Sequence, residues 1–109
     1  MILAASIGGK DYSGKDALRI FKRDRFNHAS PNSAQTESVC AGALKVRLAG
    51  DASYFGKIVK KPYIGDDIRS IERKDIPRAC RLMYLTSFIC LSFCLSIMFL
   101  ALLGIFLIN

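Results

Sequence analysis

The sequence predicts a mainly α-helical integral membrane protein, with polar helices and loops in the cytoplasm followed by one complete C-terminal transmembrane helix. Three observations support this fold class. The chain has 109 residues, room for one compact unit, and a formal net charge of +7. Hydrophobic residues still make up 51% of it. The two properties are segregated, because every charged residue lies within 10–81. This composition excludes a disordered chain, and four cysteines with three from Cys80 onward exclude a disulfide-stapled secreted mini-protein.

We divide the chain into a truncated membrane helix end (1–9), a cytoplasmic polar region (10–81) and the C-terminal transmembrane helix (82–109). The first segment, MILAASIGG, is apolar but too short to span a membrane. Its residues alone leave two alternatives open. It is either the last two turns of a membrane helix whose beginning is missing, or a short strand or frayed terminus.

The polar region contains two predicted helices. Lys15–Arg25 places Leu18, Ile20 and Phe21 on one stripe among basic residues, which is typical of a short amphipathic helix lying on an anionic membrane face. After the break at Pro31, Asn32 or Ser33 caps a second helix. We expect this helix to cover 34–48 and to stop at Gly50. The following segment, 51–67, contains two glycines and a proline and predicts a loop or a loose hairpin.

The transmembrane helix is predicted by the 27 uncharged residues of 82–108, which include 16 Leu, Ile and Phe. These give an apparent insertion free energy of about −5 to −10 kcal/mol, and the run extends for ~40 Å. Asp75 with Pro77 marks the start of the helix. Five cations lie between 69 and 81 and none follows the span. The positive-inside rule therefore places the polar region in the cytoplasm and the protein in the cell membrane.

Other motifs are weaker. Gly9–Lys15 has the spacing of a P-loop, but Asp16 stands where Ser or Thr should hold Mg²⁺, so a glycine-rich turn is favoured. The single histidine excludes a His/Cys zinc spacing around it. Aromatic and lysine residues alternate over 54–63, which suits nucleic acid, a membrane interface or a phosphorylated small molecule. The nearby span favours the last two, so we expect no nucleic-acid partner.

A polar cluster over 23–37 is the best candidate site. It combines His28 as a base, the carboxylates of Asp24 and Glu37, and the anion donors Arg23 and Asn32. The alternative is an Asn/Ser/Pro turn with solvated charges, and composition alone favours that turn.

Five blocks of sequence carry a family resemblance, in order and with conserved spacing: RDRFNHASPNSAQTES, AGALKVRLAG, SYFGK, KPYIGDDIR and DIPRACRL. They resemble the C-terminal part of the CobD/CbiB family of adenosylcobinamide-phosphate synthases. Three departures stand out, because Ala34, Lys45 and Ala49 occupy positions where the family pattern has glycine. Family members are about three times longer, and on this resemblance the first segment is the end of a preceding membrane helix.

The resemblance implies a C–N ligase of cobalamin biosynthesis. Such an enzyme joins aminopropanol or its phosphate to the corrinoid adenosylcobyric acid, with ATP and Mg²⁺ as co-substrate and ion. A companion chain would carry the missing spans, and this chain alone would be inactive. The alternative is a non-catalytic basic membrane-anchored protein, either a remnant or an assembly subunit.

The motif positions come from the resemblance and the roles are our own assignment. They are His28 as base; Asp24, Glu37 and Asp66 as carboxylates beside Mg²⁺, the first two also catalytic; Arg23 and Lys61 on phosphate; and Ser30, Asn32 and Asp66 in substrate binding.

Overall fold

The computed structural model describes residues 1–28, 30 and 32–109 and is mainly helical, as predicted. Pro31, expected to bend the chain before the second polar helix, lies outside the described residues. The elements in chain order are helices α1 (Ile2–Ile7), α2 (Gly14–Asp24) and α3 (Ser33–Leu44), strands β1 (Leu48–Ala49), β2 (Ala52–Tyr54), β3 (Lys57–Val59) and β4 (Tyr63–Ile64), and helix α4 (Asp75–Ile108).

Helix α2 lies within one residue of the predicted bounds. It begins after Ser13, whose Oγ accepts a hydrogen bond from the Asp16 N–H at 3.2 Å. Ala17 and Ile20 are buried, whereas Leu18 is 40% exposed. Of the stripe expected to lie on the membrane face, Ile20 is instead buried and Phe21 packs against the core, so the prediction is wrong for these two residues.

Helices α2 and α3 approach closely at Gly42. A Cβ at this position would lie 2.4 Å from the Asp16 carbonyl oxygen and 2.7 Å from the Ala17 Cα. Buried alanines surround this contact, and α1 adds Ala4 and Ala5 to the same core. The contact between α2 and α3 is thus built from small side chains. These let the two helix backbones approach closely, and this close approach packs the polar region.

Helix α3 ends at Leu44, four residues before the predicted end. The Lys45 N–H donates to the Gly42 carbonyl at 3.2 Å, and the Val46 N–H donates to the Ala41 carbonyl at 3.0 Å. This pair of bonds is a Schellman motif, which requires a left-handed residue just past the helix. Lys45 takes that conformation, with φ at 57°.

Two of the three departures from the family's glycines fall at left-handed positions. Besides Lys45, Ala49 has φ at 60°. A left-handed backbone costs a residue with a Cβ roughly 1–2 kcal/mol. At both positions the chain therefore accepts a side chain where glycine would be unstrained.

The four strands form two short antiparallel pairs. β1 pairs with β4, with Leu48 opposite Ile64, and β2 pairs with β3 in a hairpin. Phe55 and Gly56 both have positive φ. This is the backbone of the two-residue hairpin turn whose twist matches that of the flanking strands. Of the two structures predicted for 51–67, a loop or a loose hairpin, the hairpin is confirmed. Strand β4 then brings the chain back into contact with α3.

Helix α4 starts at Asp75, as predicted, and continues for 34 residues. It is long and apolar enough to cross a membrane by length and composition. The hydroxyls of Thr86, Ser87 and Ser96 donate to carbonyls four residues earlier, so these side chains are satisfied within the helix. Leu82 is buried in the core at the start of the apolar run. That α1 ends a membrane helix stays a prediction.

Candidate functional site

A groove of about 730 Å³ lies between the end of α2, the face of α3 and strands β1 and β2. Three predicted site residues line it, namely His28, Glu37 and Lys61. We call it the His28–Lys61 groove. Its other lining residues are mostly apolar or aromatic: Phe26, Asn27, Leu48, Ala49, Gly50, Ala52, Tyr54 and Pro62. An apolar cavity of this size with few polar groups is typical of a small-molecule site.

His28 is held by a backbone hydrogen bond. Its Nδ1 accepts from the Ser30 N–H at 2.9 Å. A neutral imidazole whose Nδ1 accepts carries its proton on Nε2. In this arrangement the free nitrogen of His28 is a hydrogen-bond donor, which differs from the role of base that we assigned from the sequence.

Glu37 lies in the second turn of α3 and is half-buried at the wall of the groove. Among the residues that the structure describes, its carboxylate has no hydrogen-bond or ion-pair partner. An unpartnered carboxylate beside an apolar wall is available to accept a proton.

Lys61 supplies the positive charge of the groove. Its Nζ donates to the Tyr54 hydroxyl at 2.7 Å and lies 4.6 Å from the centre of the ring. The Lys61 N–H donates to the Asp51 carboxylate at 3.1 Å, which fixes the backbone after β3. Tyr54 thus positions the lysine in the groove, which suits the phosphorylated small molecule that the sequence left open beside a membrane interface for this stretch.

The remaining charged motif residues form a separate network. Arg23 binds Asp24 through two hydrogen bonds of 2.8 Å and Asp66 at 2.7 Å. Arg19 reaches Asp66 at 2.9 Å. The Gly65 N–H donates to Asp24 at 2.8 Å, linking the end of α2 to the turn after β4. We call these groups the Arg23 network.

Charge pairing sets the ionisation of this network. The Arg23 guanidinium holds the pKa of the Asp24 carboxyl below its usual value, against burial, and the Gly65 N–H adds to the effect. Arg23 and Arg19 likewise lower the pKa of Asp66. Asp24 is only 3% exposed, so its oxygens are occupied by protein donors.

The structure therefore divides the predicted site residues. His28, Glu37 and Lys61 share the groove, whereas Arg23, Asp24 and Asp66 lie in the network. Ser30 and Asn32 are exposed in the turn before α3.

Sequence reasoning missed Asn27, which lines the groove and donates to the Tyr63 carbonyl at 3.2 Å. Its sequence signal was its place in the polar cluster and in the first family block, where it had been given no role.

The carboxylates proposed for Mg²⁺ do not fit a resident metal site. Two of the three are neutralised by arginine, and Glu37 lies in the groove, outside the Arg23 network. Within the described parts of the chain, no cluster of three or more His, Cys, Asp or Glu side chains is placed to hold an ion. A Mg²⁺ site built from protein oxygens needs several of them together.

The Arg23 network predicts acid lability. Its carboxyls have a lower pKa in the folded chain than unfolded, so their contribution is complete above pH ~4 and lost as pH falls below it. We expect the thermal unfolding temperature in detergent micelles to fall steeply once the pH drops below about 4. Asp24→Asn should cost roughly 2 kcal/mol at pH 7. It should reduce that dependence without removing it, because Arg69 also holds the pKa of the Asp75 carboxyl well below its usual value.

The control is Asp67→Asn, whose carboxylate is 64% exposed. This variant should retain the acid dependence of the parent chain. If Asp24→Asn left the stability at pH 7 unchanged, the Arg23 network would not be the source of the acid lability.

Within the residues that the structure describes, the fold and the groove define a small helical protein with one helix of membrane-spanning length and a largely apolar groove lined by three predicted site residues. The chain belongs to the CobD/CbiB family, since the family described as CobD/Cbib protein matches residues 1–83. The resemblance inferred from the five sequence blocks is thereby confirmed.

Individual relatives agree with the family match. The chain is 49% identical over 89 residues to the cobalamin biosynthesis protein CobD of Desulfotalea psychrophila, covering 82% of this chain and 26% of the relative. It is 48% identical over 86 residues to CobD of Citrobacter koseri, covering 79% and 27%. It is 47% identical over 92 residues to CbiB of Salmonella typhimurium, covering 84% and 29%. The chain thus spans a little over a quarter of these relatives' length. No solved structure matches it.

Proposed function

We propose that this chain takes part in cobalamin biosynthesis and contributes the His28–Lys61 groove to an ATP-dependent amide-forming step. The reaction joins aminopropanol or its phosphate to a propionate side chain of adenosylcobyric acid. The observation that carries the proposal is the meeting of three family-motif residues, His28, Glu37 and Lys61, around one cavity. The names of the relatives support the pathway, and the chemistry of the groove supports the step.

The step has two halves. A propionate oxygen attacks the terminal phosphorus of ATP, and ADP leaves, giving an acyl phosphate. The amine nitrogen then attacks the acyl carbon, the C–O bond to phosphate breaks, and the nitrogen loses one proton. The protein must therefore accept that proton and stabilise the charge that develops on oxygen and phosphate.

We assign Glu37 as the proton acceptor, because it is the groove carboxylate without a partner among the described residues. His28 donates through Nε2 to the developing oxyanion, since its Nδ1 is already bonded to Ser30. Lys61 attracts the phosphate. This assignment transfers the role of base from His28 to Glu37.

The volume of the groove favours the reacting ends of the substrates over the whole corrinoid. At about 730 Å³ it suits a drug-sized ligand, so the macrocycle would lie outside and present one side chain. Mg²⁺ would arrive on ATP, and no resident ion is proposed. The Arg23 network then supports the groove, because Asn27 joins Asp24 to the strand beside Pro62.

We also propose that residues 10–81 lie on the cytoplasmic side of the cell membrane. Five cations precede the apolar part of α4, and none follows it. This side is where ATP is available.

The proposal is tested by exchange with a longer relative. The segment of Salmonella typhimurium CbiB that matches this chain would be replaced by the chain and expressed in cells lacking their own CbiB. We expect adenosylcobinamide or its phosphate to form, and the relative with the segment deleted should form none. A hybrid that inserts at normal abundance but makes no product would favour the non-catalytic alternative.

A further inference from the structure

A second cavity, of about 240 Å³, lies at the C-terminal end of α3 and shares no lining residue with the His28–Lys61 groove. It is formed by the loop before α2, the end of α3 and the first turn of α4. Lys10, Lys45, Arg69 and Arg78 line it, together with Asp11, Tyr12 and Ser13 and the apolar Ala43 and Leu44. We call it the basic cavity. No step of the proposed function uses it.

The basic cavity carries a surplus of positive charge. Asp75 pairs with Arg69 and with Arg78, the latter at 3.1 Å. Asp11 pairs with Arg81 at 3.3 Å, and Asp16 lies 3.9 Å from the Lys45 Nζ. The four lining cations thus face three carboxylates, Asp75, Asp16 and Asp11, the last of which also lies 3.9 Å from Arg78, and this leaves an excess of one positive charge. Lys10 has no ion pair with any residue that the structure describes.

The cationic wall is partly rigid and partly free. Arg69 is held by Asp75 and by the Leu44 carbonyl, to which its Nε donates at 3.0 Å. The Tyr12 hydroxyl donates to the Arg78 carbonyl at 2.7 Å and fixes the loop against α4. Fixed arginines beside a lysine without an ion pair, Lys10, are suited to an anion, because the arginine side chains lose little order on binding.

Lys45 is the most informative wall residue. It occupies the left-handed position of the Schellman motif, where glycine is favoured. A lysine there is locally unfavourable and also adds one charge to the cavity. Residues kept in a strained conformation commonly mark functional positions.

Depth and size define the ligand. Arg78 is four residues before Leu82, where the uncharged run begins, so the cavity lies about 6 Å along the helix from the apolar segment. That is the level of lipid headgroups. The volume is below that of drug-sized sites and suits one anionic group.

From these observations we infer that the basic cavity binds a phosphate group, carried either by an anionic lipid headgroup or by a free phosphate. Lys10 and Lys45 close on the anion, and Arg69 and Arg78 form the fixed wall. The inference is independent of the proposed function.

The test uses the full chain in neutral detergent micelles and measures its melting temperature. One arm adds inorganic phosphate against chloride at equal ionic strength, and the other adds phosphatidic acid against phosphatidylcholine. We expect a higher melting temperature with phosphate, with phosphatidic acid, or with both. A response in one arm only identifies the source of the phosphate group.

Lys45→Gly separates binding from folding. It relieves the left-handed strain, so without ligand it should melt a few degrees higher than the parent chain. It also removes one cation, so its affinity should fall about threefold to tenfold. Lys10→Ala should weaken binding similarly with little change in melting temperature. Lys60→Ala, outside the cavity, is the charge-matched control and should bind as the parent does.

Two results would overturn the inference. One is the absence of stabilisation in both arms. The other is equal stabilisation of the parent chain, Lys45→Gly and Lys10→Ala, which would reduce the effect to general screening of the net charge.

Discussion

Replacing Gly42 by alanine is expected to separate α2 from α3 and to destabilise the polar region by about 3 kcal/mol or more. The added Cβ would meet the Asp16 carbonyl oxygen at 2.4 Å and the Ala17 Cα at 2.7 Å. Both are backbone atoms of a helix, so neither can rotate away as the end of a flexible side chain would. Relief requires a shift of the whole α2 helix.

Hydrogen exchange of the α2 and α3 amides in the full chain measures this effect, because it reports local opening without unfolding α4. Gly104→Ala is the matched control, since its added Cβ would meet no atom within 4 Å outside the neighbouring backbone of its own helix. We expect faster exchange in Gly42→Ala and parental exchange in Gly104→Ala. Unchanged protection of both helices in Gly42→Ala would show that the close contact does not hold them together.

Helix starts were predictable from sequence because the residues that favour a first turn act locally. Asp75 and Pro77 mark the first turn of α4, and α2 begins within one residue of its expected position. The end of α3 was not predictable in this way. Val46 and Leu48 continue the apolar pattern, and Gly50 offers a conventional stop, yet the helix ends where Lys45 turns left-handed. The pairing of Leu48 with Ile64, distant in sequence, draws the chain out of the helix.

The candidate site shows the same division between local and distant information. The sequence blocks identify the charged residues, but Asp24 and Glu37 are equivalent carboxylates in sequence. Their difference arises from tertiary contacts. Asp24 is occupied by Arg23 and by the N–H of Gly65, 41 residues away, whereas Glu37 faces the groove. The family pattern identifies which residues belong to the site, and folding decides which of them remain free to react.

In the hybrid with the Salmonella relative, Glu37→Gln is expected to lower the rate of adenosylcobinamide formation roughly a hundredfold to ten-thousandfold. The substitution preserves the shape of the side chain and removes only its ability to accept the amine proton. Lys60→Ala removes a charge outside the groove and should change the rate less than threefold, an effect of about 0.6 kcal/mol or less. Membrane insertion of all variants should match the parent hybrid, and the rate is measured on isolated membranes.

A second nucleophile distinguishes a base from a structural residue. Hydroxylamine attacks acyl phosphates largely as the neutral amine, so it has little need of a protein base. If Glu37 accepts the proton, Glu37→Gln should form the hydroxamate at nearly the parental rate while the natural amine reacts slowly. If the variant is equally slow with both amines, then Glu37 supports substrate binding or acyl-phosphate formation instead. His28→Ala should be slow with both, because the Nε2–H donor acts on the oxyanion formed with either amine.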